Sequence, residues 1–323
     1  MGAERIDDRT LLSRTAENLY WLGRYVERAD STARLIEMGH RMAMLPGSFT
    51  RDEWRSVAAA SGCLDRFDGG SSGGAPITEA AIVRSLMLDI ENPSSIRTCL
   101  ERARANGRSV RTALTVPVWE ALNDGWRRLE LMDAATAQRD LPAVLDWVKG
   151  RSALIRGAVH GTMLRNDGYH FLTLGGYLER ADMTLRLLDV KSYVLLPETD
   201  VVGGGRDHHQ WTSVLHATSA LRAYHHVYRG DYSPETIADF LILNRQFPRS
   251  VAFCYLEIGQ TLGALGEGYG EEHDCHRTAA KMTEDLGRLR MGEIFRMGLH
   301  EFVLEAVGRT HRLGTEVYRA YFS

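Results

Sequence analysis

Two short segments hold the residues best suited to chemistry. GRYVERADSTARLIEM (residues 23–38) and GGYLERADMTLRLLDV (residues 175–190) agree at nine of sixteen positions, and each carries a Glu-Arg pair, Glu27-Arg28 and Glu179-Arg180. Seven residues past each glutamate stands another arginine, Arg34 and Arg186. Carboxylates set among guanidiniums can do two kinds of work. They can neutralise one another as buried ion pairs, or they can hold an anionic or zwitterionic ligand with a glutamate as acid or base. On a helical wheel at about 100° per residue, Leu19, Leu22, Val26, Ala29 and Ala33 form a wide apolar arc. Glu27 projects from the opposite side beside Arg34, flanked by Tyr20 and Met38. Glu179 and Arg186 occupy the same side of the second segment, flanked by Leu172, Met183 and Val190. A helix with apolar residues on both sides is central and buried, so its charges need partners. Arg24 lies three residues before Glu27, a feasible pair on one helix, but Gly176 stands at that place before Glu179. The two helices are therefore expected to face each other, with Glu179 on Arg28 or Arg34 and Glu27 on Arg180 or Arg186. The candidate ion-pair or ligand cluster is Glu27, Arg28, Arg34, Glu179, Arg180 and Arg186, with Tyr25 and Tyr177 as a ligand wall or as plain core.

A second basic group follows Pro93. Arg97, Arg104, Arg108 and Arg111 recur at near-heptad spacing beside the apolar stripe Ile96, Leu100, Ala103, Gly107, Val110 and Leu114. This reads as a solvated flank, or as a patch for an anion or an acidic partner. Metal chemistry finds little support. Glu37 and His40 make the only Glu-x-x-His unit, where a helical di-iron site needs two. Residues 271–276 (EEHDCH) are rich in ligand types but read better as a polar helix start. No metal and no cofactor are expected. Cys99 and Cys254 have no adjacent base and read as buried thiols. Gly263, Gly266 and Gly268 follow a helical pattern without a phosphate-loop lysine, which excludes nucleotide binding there.

The elements that must position these residues are helices. Apolar residues step by three and four from residue 10 to 44. Thr50 with Glu53 reads as a capping box. Pro117 and Ser233-Pro234-Glu235 read as helix starts. Residues 61–76 (SGCLDRFDGGSSGGAP) read as a mobile loop. About ten to twelve helices and essentially no sheet are expected. A second match, P-x-S-apolar-x-x-C, begins at Pro93 and at Pro248, in the same order and at nearly the same offset as the first. The expected fold is an all-α helical bundle of two tandem copies of a roughly 150-residue unit sharing a core. The units would be residues 1–160 and 161–323, or one continuous domain.

Composition narrows the function class. The 323 residues carry 39 Lys+Arg against 42 Asp+Glu, a net charge of −3 with both signs interspersed. A nucleic-acid binder would show a basic excess. No apolar run reaches the ~18 residues of a membrane span. The charged N-terminus lacks a signal core, and the four scattered cysteines fit a reducing compartment, so a cytoplasmic protein is expected.

With these residues in hand, the chain resembles the alpha-E domain family, a bacterial all-helical family named for its Glu-Arg motif. The matching stretches are LSRTAENLYWLGRYVERADSTARL (residues 12–35), NPSSI (92–96), ARANGRSVR (103–111), GGYLERADMTLRLLDVK (175–191) and FPRSVAFC (247–254). The resemblance implies an all-α fold and a genomic association with a circularly permuted ATP-grasp protein and a transglutaminase-like peptidase, systems that look like ATP-dependent amide or peptide ligation with peptide processing. The first functional expectation is a non-catalytic helical accessory protein that binds such a ligase or presents a substrate to it. The alternative is an enzyme using Glu27 or Glu179 as acid/base, with arginines holding an anionic peptide or amino-acid substrate.

Overall fold

The computed structural model describes residues 11, 13–44, 50–67, 77–193 and 204–323. The N-terminal ten residues, most of the Gly/Ser-rich stretch (68–76) and the Thr50 side chain expected to cap a helix lie outside the described residues. In chain order the helices are α1 (Ser13–Ala43), α2 (Thr50–Ala60), α3 (Glu79–Met87), α4 (Ile96–Ser109) and α5 (Val116–Glu130). They continue as α6 (Ala134–Arg139), α7 (Leu141–Thr162), α8 (Asp167–Tyr193), α9 (Gly205–Ala217) and α10 (Leu221–Tyr228). The last five are α11 (Pro234–Ile242), α12 (Val251–Tyr269), α13 (Asp274–Arg288), α14 (Met291–Met297) and α15 (Leu299–Tyr321). No strand occurs among the described residues, so the fold is all-α. The helices outnumber the expected ten to twelve. Those such as α6 and α14, six and seven residues long, are too short for a hydrophobic period to emerge.

The helix starts follow local chemistry. Ser95, Ser233 and Ser250 each accept the backbone N–H three residues on, at the heads of α4, α11 and α12. Pro117 sits in the first turn of α5 and Pro234 in that of α11. Four residues past Ser95 and Ser250, the buried thiols of Cys99 and Cys254 point back at the carbonyls of Pro93 and Pro248, 3.7 and 3.9 Å away. The two P-x-S-apolar-x-x-C stretches thus build the same capped helix entry.

The centre of the molecule is the α1–α8 pair, which makes the most extensive helix contact. The two run side by side in the same sense. The Leu11 N–H donates to Asp167 near their starts, and the Glu-Arg residues meet further along. They approach closest at Gly23 and Gly175. A Cβ at Gly23 would overlap the carbonyl oxygen of Leu172, and one at Gly175 that of Tyr20. These two glycines let backbone meet backbone. Around this pair, α4, α7 and α9 cover α1, while α2, α12 and α15 cover α8. Leu19, Leu22, Ala29, Ala33 and Ile36 of α1 and Leu174, Leu178, Ala181 and Leu185 of α8 are buried in one apolar core that extends through both halves of the chain. Both helices are thus largely enclosed, and much of their polar face is interior too.

Candidate functional site

Enclosure of α1 and α8 forces their charged side chains to find each other. Glu27 and Glu179 are each only 1% exposed. Arg180 grips Glu27 with two parallel bonds, Nε to Oε1 at 2.9 Å and Nη2 to Oε2 at 2.8 Å. Arg28 grips Glu179 in the same way, at 2.5 and 2.9 Å. Each carboxylate therefore meets the arginine that follows the other helix's glutamate, in the fork-to-fork geometry that favours arginine over lysine.

Additional arginines complete each cluster, and they differ. On the Glu27 side, Arg156 of α7 donates to Oε2 at 3.0 Å, and Arg249, just before α12, donates to Oε1 at 2.9 Å. Both also reach Asp30, one turn along α1, which Arg34 contacts at 3.2 Å. On the Glu179 side, Arg24 donates its Nε to Oε2 at 2.8 Å. Asp182, one turn along α8, pairs with Arg186 at 2.8 Å and with His311 of α15 at 3.0 Å.

Two expectations need correction. Arg34 and Arg186 do not cross to the opposing glutamate. Each pairs four residues back, with Asp30 and Asp182, because that spacing stacks the two side chains on one helix face. Their outer nitrogens then tie α1 and α8 to other elements, Arg34 to the Ala217 carbonyl and the Ser219 hydroxyl, Arg186 to the Ala60 carbonyl. Arg24 in turn serves Glu179 rather than Glu27. Asp30 and Asp182 are identical positions of the two matching segments, so a signal for them existed. Arg156, Arg249 and His311 carried none, since each arrives from a different helix or helix entry.

Burial alone would push these carboxyls up, but the guanidiniums more than offset it. Arg180, Arg156 and Arg249 hold Glu27 well below the usual carboxylate range. Glu179 is lowered by Arg28 and Arg24. Asp182, despite its burial, is brought down to about 2 by His311 and Arg186. Glutamates locked ionised in this way are poor proton donors at neutral pH. Burial pushes the Cys99 and Cys254 thiols up to about 12, so they remain protonated and weakly nucleophilic.

The remaining candidates lie apart. Tyr25 is half-buried against Trp21, and Tyr177 packs near Phe253 with Arg180 across its ring. Tyr177 borders a cavity of about 30 Å³ beside Glu27, the size of a water molecule. Arg97 and Arg104 are half-buried, and Arg104 is held by Asn123 at 2.8 Å. Arg108 and Arg111 are exposed, Arg111 lying over the Trp119 ring. Of the metal-ligand types, His40 faces Glu79 while Glu37 takes Lys149 and Arg41. His276 folds back to the His273 N–H at the start of α13. No group of three or more His, Cys, Asp or Glu suited to a metal occurs among the described residues. Among them, too, no helix is long and apolar enough to cross a membrane.

An all-helical core whose two central helices exchange Glu-Arg pairs defines a class of protein, helical bundles built on an internal ion-pair lattice. The chain belongs to the Alpha-E family, described as a predicted alpha-helical domain with a conserved ER motif, whose model matches residues 11–322. It is similar to an uncharacterized protein of Mycobacterium bovis, 24% identical over 261 residues, covering 74% of this chain and 28% of that protein. Uncharacterized proteins of two Mycobacterium tuberculosis strains match over the same length, at 24% and 23% identity. The chain thus spans little more than a quarter of the length of these relatives. No solved structure matches it.

Proposed function

We propose that this protein is a non-catalytic helical partner of an ATP-grasp-type amide or peptide ligase, docking to it or presenting its peptide or amino-acid substrate. We also propose that it is built from two copies of one helical unit, near residues 1–160 and 161–323, that share a core. The observation that carries the first reading is the state of the two glutamates. Both are buried, held ionised and saturated by two or three guanidiniums each. Groups in that state brace a scaffold and do not relay protons. The matching of a quarter of each longer mycobacterial protein supports a unit that works attached to other machinery. The family resemblance supplies the identity of that machinery, the circularly permuted ATP-grasp protein and the transglutaminase-like peptidase. The reciprocal Glu-Arg exchange and the twin helix entries support the two-copy reading.

The test is reconstitution. Size-exclusion of this protein with its cognate ATP-grasp protein is expected to give a complex, and the ligase rate is expected to depend on it. A ligase that runs at full rate alone and elutes separately overturns the proposal.

A further inference from the structure

The Glu27 and Glu179 clusters share a crossed Glu-Arg pair but differ in what surrounds it. The Thr184 hydroxyl donates to the Arg249 carbonyl, and the Thr32 hydroxyl donates to the Ser94 carbonyl. Arg249 and Ser94 thus hold the same place, each beside its own central helix. The Arg249 side chain reaches inward and occupies the space between Glu27 and Asp30. Ser94 has no such reach, and a cavity of about 240 Å³ remains beside Glu179 and Asp182. A second difference enlarges the same gap. Arg156 contacts Asp30 on one side, whereas the shorter His311 contacts Asp182 on the other.

We propose that this cavity binds the oxyanion of a small ligand, a carboxylate or a phosphate, through Arg24, Arg28 and Arg186. The hydrogen-bond inventory points there. A guanidinium has five N–H donors. Arg28 spends Nε and Nη2 on Glu179, Arg24 spends Nε on Glu179 and Nη1 on the Tyr20 hydroxyl, and Arg186 spends Nε on Asp182 and Nη1 on Ala60. The third nitrogen of each, Arg28 Nη1, Arg24 Nη2 and Arg186 Nη2, makes no bond to a described residue. All three arginines line the cavity and keep between 14% and 26% of their side-chain surface open to solvent.

Charge selects the ligand's sign. Three guanidiniums face two carboxylates, and each carboxylate already has two basic partners. The local excess is positive, and the unspent guanidinium nitrogens are donors only, so an oxyanion gains charge-assisted bonds there. The volume is below the ~300 Å³ of a drug-sized pocket, so the ligand is a small acid or the terminus of a longer chain. The site does not depend on the ligase reading.

The test is calorimetric titration of the full chain with N-acetylglycine, with inorganic phosphate, and with glycinamide, which lacks an oxyanion. Saturable binding of at least one oxyanion and none of glycinamide is expected; preference between the two oxyanions assigns the ligand's acid group. Ser94→Arg places a guanidinium in the gap, giving four around two carboxylates as on the Glu27 side. It is expected to fold and to lose oxyanion binding by about tenfold or more. Should Ser94→Arg misfold, Arg186→Gln carries the test, because Asp182 keeps His311; it is expected to weaken binding by roughly tenfold. Absence of saturable oxyanion binding, equal binding of glycinamide, or unchanged binding in the folded variants overturns the proposal.

Discussion

Glu179 meets two guanidiniums where almost no water reaches, and the consequences of that are measurable. Replacing it with glutamine leaves Arg24 and Arg28 without their counter-charge inside the protein. Removing one partner of a buried pair costs about 3–5 kcal/mol, so Glu179→Gln is expected to lower the urea midpoint by a corresponding amount. A midpoint within error of wild type would show that the pair is not a stabilising element. The pH response follows from the same residues. Asp182 is held at about 2, below its ordinary 3.8, and Glu27, Asp30 and Glu179 are lowered as well. A depressed carboxyl adds stability that is fully present above its unfolded value and is lost as pH falls through its folded value. Stability is therefore expected to fall between about pH 4 and pH 2. Asp182→Asn is expected to flatten that fall in denaturation midpoints measured across the window, and an unchanged slope would exclude Asp182 as a contributor.

At the scale of the element, the crossing of α1 and α8 is decided by two hydrogen atoms. Alanine is the better helix former by about 1 kcal/mol, so propensity alone favours Gly23→Ala. Packing opposes it, because the new methyl group meets the Leu172 carbonyl, a backbone group that cannot swing away. The net effect is expected to be a loss of about 1–3 kcal/mol, overpacking prevailing over propensity. Gly150 in α7 is the control, since nothing lies within 4 Å of its Cβ position. Gly150→Ala is expected to gain roughly 0.5–1 kcal/mol. Thermal melts of the two variants should move in opposite directions, and a stabilised Gly23→Ala would mean that the helices do not touch there. Much at this scale was legible in the sequence. The cap at Ser233, the prolines at 117 and 234 and the apolar stripe of α1 are local features, and each sits where local rules put it. The short helices were not legible, because fewer than three turns hold too few apolar residues to define a face.

For the molecule as a whole, the polar lattice couples regions far apart in the chain. Glu27 receives arginines 129, 153 and 222 residues away, and Arg34 reaches a carbonyl 183 residues away. One core runs through both halves. A segment ending at residue 160 would retain Glu27 and Arg156 but lose Arg180 and Arg249, and the complementary segment would hold Glu179 without Arg24 or Arg28. Separately expressed segments 1–160 and 161–323 are expected to lack cooperative unfolding, and co-expression is expected to restore a native-like complex. A single segment that unfolds cooperatively, with full helix content by circular dichroism, would contradict this.

The sequence alone determined that the chain is helical, where many helices begin, and that two glutamates on enclosed helices require basic partners. Those conclusions rest on spacing within a few turns, over which backbone geometry is nearly invariant. Only the tertiary structure decided which arginine serves which carboxylate, since Arg34 and Arg186 were equally eligible by spacing and Arg156 and Arg249 were invisible to it. The deciding quantity is the distance between side chains on different helices. It is set by how closely Gly23 and Gly175 allow two backbones to approach, and no local pattern of residues encodes it.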